Sequence, residues 1–238
     1  MSNPIKESTL ERWIQNQMKV WESEKKVIEK EDLPRPFITI SRQYGCFANS
    51  IAEAIAKSLN ELQHTDKWIT YDKNLINKIE EQYNISEKIV ETIDTKKREE
   101  MSELWRTMLS DLPPQAAVFQ KLANTIRALA IHGNAILVGR GSVIITKGLR
   151  YGLHLRFVAP LQYRIQKVME IQKIKDRLTA EKLIEEKDKQ RHEFMTQYIK
   201  FDAYDPASYD LTFNIAQFTP DQIAHIVIAA LKARKLIW

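Results

Sequence analysis

Residues 41–50, SRQYGCFANS, join an apolar run to a helical pattern, at a place where a loop can receive phosphate. Such loops work through inward-turned backbone N–H groups and a helix N-terminus, with glycines that let the anion approach. The phosphate-loop pattern adds a lysine for the outer phosphates and a Ser or Thr hydroxyl for magnesium. Gly45 is present and Ser50 stands where that hydroxyl belongs, but the stretch contains no lysine. Alone, it reads more readily as an ordinary strand-to-helix turn with Ser50 near the helix start.

Other residues of matching chemistry lie far away in the chain. Arg140 follows an apolar strand between Gly139 and Gly141. An arginine so placed can grip a phosphate with two parallel hydrogen bonds. EKDKQR carries Lys187, Asp188 and Arg191. Asp188 and Arg191 are i,i+3 neighbours, which also suits simple pairing on a helix face. Asp72 closes KWITYD and either caps the next helix or faces the site. Arg156 lies inside a strand, where a carboxylate in the sheet is one expected partner. Cys46, the single cysteine, excludes an intrachain disulfide and a cysteine zinc cluster. Its place beside a helix start can lower a thiol pKa. The five histidines show no metal-ligand spacing, and no Ser-His-Asp or Cys-His arrangement is evident.

These side chains need a frame. Phe37–Ile40 is continuously apolar, as in a strand covered on both faces, and residues 50–59 continue as an amphipathic helix. Further strands are expected in KWITYD, NAILVGRG, GLHLRFVAP and YDLTFNI. The chain from Asn74 to about Ile131 reads as mostly helical, punctuated by Pro113 and Pro114, with Asp111 as a cap. Two charged helices span Leu161 to about Tyr198, and Thr219-Pro220 opens the last helix. This alternation predicts a parallel α/β sheet with helices on both faces, the loop strand in its middle, and ligands beyond the carboxyl ends of the strands. Residues 35–238 form that domain. Residues 1–34 form an N-terminal amphipathic helix and a linker, with Leu10, Trp13, Ile14, Met18 and Trp21 on one stripe. The stripe packs on its own domain or against a second subunit, as in a homo-oligomer. The formal charge of +5 suits partners carrying phosphate. No arginine–aromatic platform favours nucleic acid, no run approaches the ~20 apolar residues of a membrane span, and no secretory signal opens the chain. A cytoplasmic protein is expected.

In order, ITISRQYG, IAEAIAKSL, YDKNLI, ISEKIVETID, ILVGRG, LRFVAPLQYRI, EKDKQRHEFM and YDLTFNI resemble the cytidylate kinase-like family, related to the P-loop nucleoside monophosphate kinases. The resemblance runs from about Phe37 to the C-terminus. It implies a three-layer α/β/α fold with a five-stranded parallel sheet, a helical monophosphate-binding insertion and a short mobile lid. It also implies transfer of the γ-phosphoryl group of ATP, with Mg2+, to a nucleoside monophosphate.

The family loop reads approximately serine, arginine, an acid, an aromatic, then Gly-Ser-Gly-Gly-Arg-Glu. This chain keeps Ser41, Arg42, Tyr44 and Gly45, and continues with Cys46, Phe47, Ala48, Asn49 and Ser50. Phe47 is expected to hinder close approach or resist the required backbone conformation, and Ala48 and Asn49 bring no charge. By resemblance, Arg42 and residues 45–50 form the phosphate loop, Ser50 meets magnesium, and Asp72 and Arg140 meet the acceptor monophosphate. Lys187, Asp188 and Arg191 belong to the lid, with Arg164 leading into it. Arg140, Arg164 and Arg191 are the expected catalytic arginines. Tyr209, Asp210 and Asn214 are read as structural, near the donor base. A phosphotransferase weakened by its loop, a catalytically silent binding or regulatory protein, and a binder of another phosphorylated small molecule all fit this pattern.

Overall fold

The structure, a computed structural model, describes residues 16, 19, 35–65, 67–81, 116–199 and 201–238. The expected N-terminal helix and the segment with Asp111, Pro113 and Pro114 lie outside the described residues. The described elements are β1 (Phe37–Arg42), α1 (Ala48–Gln63), β2 (Ile69–Tyr71), α2 (Lys73–Glu81), α3 (Ala116–His132), β3 (Ala135–Val138) and α4 (Ser142–Ile145). They continue with β4 (Gly152–Val158), α5 (Leu161–Gln172), α6 (Arg177–Ile199), a 3-10 turn (Pro206–Ser208), β5 (Leu211–Asn214) and α7 (Pro220–Ala233).

The five strands form one parallel sheet in the order β2-β3-β1-β4-β5, so the loop strand is central, as its apolar run requires. Ile38 and Ile40 of β1, with Ile136, Val138, Leu153, Leu155 and Phe157, pack against Ile51, Ile55 and Leu59 of α1 and Ile223, Val227 and Leu231 of α7. The opposite face buries Phe37, Ala135, Leu137 and Tyr71 against α2, α3 and α4. A third, smaller core joins Ile165 and Val168 of α5 to Ala180 and Ile184 of α6. Tyr44 and Phe47, from the loop after β1, pack onto it. The α5–α6 hairpin thereby rests on the loop.

Period-2 alternation puts polar groups on the α3 side of β1 and β4. Thr39 Oγ1 and His154 Nδ1 lie 2.7 Å apart, and burial lowers the His154 pKa. Thr219 forms the expected cap of α7: its hydroxyl accepts from Gln222 N–H while the Gln222 side chain accepts from Thr219 N–H. The four-residue α4 was not foreseen, because Ser142–Ile145 carries no periodic pattern long enough to show.

Packing across β1 and β4 sets the first test. A Cβ on Gly152 would lie 2.6 Å from Phe37 Cζ and 2.9 Å from its Cε2. The ring is buried, so moving it would disturb its packed neighbours. Gly152→Ala should therefore cost about 1–3 kcal/mol by overpacking. A lowered denaturant midpoint with unchanged slope is expected, and an unchanged midpoint would mean that Phe37 has room to move.

Candidate functional site

The site begins at the N-terminus of α1. Phe47 is its N-cap residue, in the left-handed region at φ 40°, ψ 52°, and no side chain caps the helix. The first turn carries no acid. First-turn N–H groups have no intrahelical acceptor, so this end attracts anions. Phenylalanine thus adopts the conformation that was expected to need glycine. Its ring leaves the turn and anchors in the α5–α6 core. Ser50 is not the cap either, since its hydroxyl donates back to Phe47 O at 3.2 Å. Gly45, at φ 87°, lets the chain pass α5, where a Cβ would come 3.0 Å from Arg164 Cβ. Cys46 is buried, which pushes its pKa up to about 11. Desolvation outweighs the helix end, so this thiol is not activated.

Arg42, the last residue of β1, lies across the turn after β3. A Cβ on Gly139 would fall 1.7 Å from Arg42 Nη1, so only glycine admits the guanidinium. None of its nitrogens has a hydrogen-bond acceptor among the described residues, and none is sealed from solvent. Burial lowers the Arg42 pKa to about 10, helped by the like charges of Arg191 and Arg140 and opposed by Asp72. Arg140 sits in the left-handed region at φ 56°, between Gly139 and Gly141, and donates to Asn77 Oδ1 of α2. Arg191 reaches down from α6. Its Cζ lies 5.2 Å from the Tyr44 ring centroid and its Nη1 lies 3.5 Å from Arg42 O. Burial lowers its pKa too. Arg42, Arg140 and Arg191 are therefore gathered at one end of the sheet, where the charges of the other two oppose that of Arg42.

The remaining expected residues position this cluster or stand apart from it. Asp72 Oδ1 accepts from Leu75 N–H at 2.8 Å, capping α2, while Oδ2 accepts from Asn49 Nδ2 at 3.1 Å. It thus joins the first turns of two helices beside the arginines. Asp188 pairs with Arg164 at 2.6 Å instead of with Arg191, and its other oxygen accepts from Tyr44 N–H at 2.7 Å. Arg164 also donates to Tyr44 O and Ala159 O. It lies buried beneath the loop and holds it in place, whereas the sequence pointed to a catalytic arginine. Lys187 bonds Gln190 along its own helix. Gln172 Nε2 donates to Tyr44 Oη at 2.6 Å. The segment expected to be a mobile lid is tied to the loop through backbone, ion pair and ring. Arg156 meets hydroxyls and aromatic rings, and the carboxylate that was one expected partner is not among its described contacts.

The cytidylate kinase-like family model matches residues 37–217, which include every group above. The chain belongs to the cytidylate kinase-like family. Its fold is also similar to that of an uncharacterized protein from Eubacterium ventriosum ATCC 27560, with TM-score 0.64 at 17% identity, covering 84% of this chain and 99% of that one. Shikimate kinase from Bacteroides thetaiotaomicron aligns with TM-score 0.46 at 15% identity over 84% of this chain and 98% of that one. Uronate isomerase from Corynebacterium glutamicum is 26% identical over 99 residues, 42% of this chain. The chain spans about a fifth of that relative's length, 19%.

Sequence reasoning missed two supports of this cluster: Gly139 as the seat of Arg42, and Asp188 as the acceptor for the Tyr44 N–H. The first had a signal, a glycine before Arg140. The second had none, because 144 residues separate the partners.

Gly139→Ala should evict the Arg42 guanidinium while the fold persists. One charged hydrogen bond is worth roughly 1.5–3 kcal/mol, so pyrophosphate affinity should fall about tenfold or more by calorimetry. Unchanged affinity would remove Arg42 from the site. Asp188→Asn keeps an acceptor for Tyr44 N–H but strands Arg164. Breaking a fully buried pair costs roughly 3–5 kcal/mol. The Asp188 side chain is 20% exposed, so a loss of about 2–4 kcal/mol is expected on unfolding in urea. No measurable loss would show that the latch is incidental.

Proposed function

We propose that this protein is a nucleotide-binding phosphotransferase, moving the γ-phosphoryl group of ATP to a nucleoside monophosphate in the cytoplasm. The observation that carries this reading is the cluster of Arg42, Arg140 and Arg191, gathered at the carboxyl edge of β1 beside an uncapped helix N-terminus. Repelling cations held in a cleft are stabilised by a bound polyanion, and phosphoryl transfer asks chiefly for positioning and charge neutralisation. A monophosphate oxygen is already ionised near neutral pH, so no general base is required.

The roles divide by position. The first-turn N–H groups of α1 hold donor phosphate oxygens, Arg42 stands between donor and acceptor, and Arg140 grips the acceptor phosphate with Asp72 orienting the wall. Arg191 covers the transferred group from α6. Among the described residues no group of three or more acidic, His or Cys side chains could hold a metal. Magnesium bound through phosphates needs few protein ligands, and the Ser50 hydroxyl fits that part, its proton on Phe47 O and its oxygen open to a cation. When bound, Mg2+ would neutralise the outer phosphates.

A second reading, a silent nucleotide-binding module, is favoured by Asn49. It stands where the family places arginine and is tied to Asp72. Calorimetry with ATP and coupled assays with CMP and dCMP separate the readings. Arg42→Gln should abolish turnover and lower ATP affinity at least tenfold, and Asn49→Arg should raise ATP affinity by about ten- to a hundredfold. ATP binding that ignores Arg42→Gln would overturn the first reading. Full kinase rates in the wild type would overturn the second.

A further inference from the structure

On the other side of the β1 end, one residue before Arg42, lies a second donor-rich cluster. Arg156 of β4 is 7% exposed and has no carboxylate partner among the described residues. Its Cζ lies 5.5 Å from the Tyr204 ring centroid and 5.3 Å from that of Tyr209. Nη1 donates to Ser41 Oγ at 3.0 Å and to Tyr209 Oη at 3.1 Å. The Tyr209 hydroxyl is 3.0 Å from Ala203 O, which takes its proton. With that proton spent, the Ser41 hydroxyl can donate to Tyr209 Oη at 3.3 Å, which leaves the Nε and Nη2 groups of Arg156 without an acceptor among the described residues, and neither nitrogen is sealed from solvent.

The neighbouring acids are committed elsewhere. Asp202 accepts from Tyr204 N–H, Asp205 from Ala207 N–H, and Asp210 from His154 N–H while pairing with Arg234. A buried guanidinium with only neutral hydroxyl partners is short of negative charge, and its free fork matches two oxygens of one anion. Tyr204, 54% exposed and in ring contact with His192, leaves an aromatic edge beside the opening.

We propose that Arg156, Ser41 and Tyr204 form a second oxyanion subsite, which takes a phosphate or carboxylate carried by the ligand of the cleft. As Ser41 and Arg42 are adjacent on β1, this subsite and the Arg42–Arg140–Arg191 cluster flank one strand end. The ligand they fit together bears two separated anionic groups. This pairing rests on the reading that the arginine cluster holds phosphate, but the second subsite itself does not.

Inorganic phosphate is the probe, followed by calorimetry and by the side-chain Nε–Hε signals of arginine in NMR spectra of the full chain. The wild type should bind two phosphates, and the Arg156 Nε–Hε signal, assigned by its loss in Arg156→Lys, should shift on titration. Arg156→Gln should bind one phosphate and Arg42→Gln the other one. Should Arg156→Gln not fold, the wild-type signal decides alone. Malonate in a parallel titration tells a carboxylate site from a phosphate site: a shift with malonate but not phosphate assigns the carboxylate, and the reverse the phosphate. An Arg156 signal indifferent to both anions, or a single phosphate lost only in Arg42→Gln, overturns the second subsite. A single phosphate lost only in Arg156→Gln supports it and removes the arginine cluster from the proposed function.

Discussion

The guanidinium of Arg42 is half-buried beside two groups of its own charge, and much of the surrounding structure serves to keep it there. Removing a charge from water is costly unless it is paired, and like charges nearby add to that cost. The depression of its pKa to about 10 records both effects. Three features hold the arrangement. Gly139 removes the atom that would collide with Nη1, Asp72 places a single negative charge nearby, and α6 fixes Arg191 above the loop. A fold that keeps cations together in this way stores unfavourable energy, which a bound anion would release.

The loop between β1 and α1 shows how that geometry survives substitution. A phosphate-binding turn needs backbone N–H groups aimed one way, and glycine is the easy means of bending the chain so. Here Phe47 takes the left-handed conformation at a strain of order 1–3 kcal/mol, and its ring is anchored in the α5–α6 core. Burial of an aromatic side chain offsets that strain. The substitution that looks most damaging to the loop thus joins loop to hairpin, and it works together with the Asp188 bonds to Tyr44 and Arg164. What the loop does lose is charge, for Asn49 is turned to Asp72 and brings no cation to the first turn.

The layers of the fold could be read from the chain because the information was local. Phe37–Ile40 and Ala135–Val138 are short apolar runs with helices between them, and a parallel sheet is the arrangement that covers both faces. The polar ends of those strands pointed to the sheet edge where Arg42 and Arg140 now stand. The pairings across that edge were not readable. Arg164 was expected among the catalytic arginines from its position leading into the lid, and spacing gave no sign of its ion pair with Asp188 beneath the loop. For Arg156 a carboxylate was one of the partners considered, and the placement of Tyr204 and Tyr209 around it could not be read from the chain. Long-range partners of charged residues depend on packing, which residue spacing does not encode.

Strand alternation joins these observations. Successive side chains on β1 point to opposite faces, so Ser41 and Arg42 reach to different sides of one strand end while their backbones remain adjacent. Arg42 follows the face of Ile38 and Ile40, where the Gly139 turn makes room, and Ser41 the face of Phe37 and Thr39, where Arg156 stands in register with it. Each cluster takes one residue from the central strand, which is bonded on both sides. Two donor-rich centres fixed to one rigid element hold their spacing without further support. In the proposed two-anion site the sheet would set the separation between the anionic groups of a ligand.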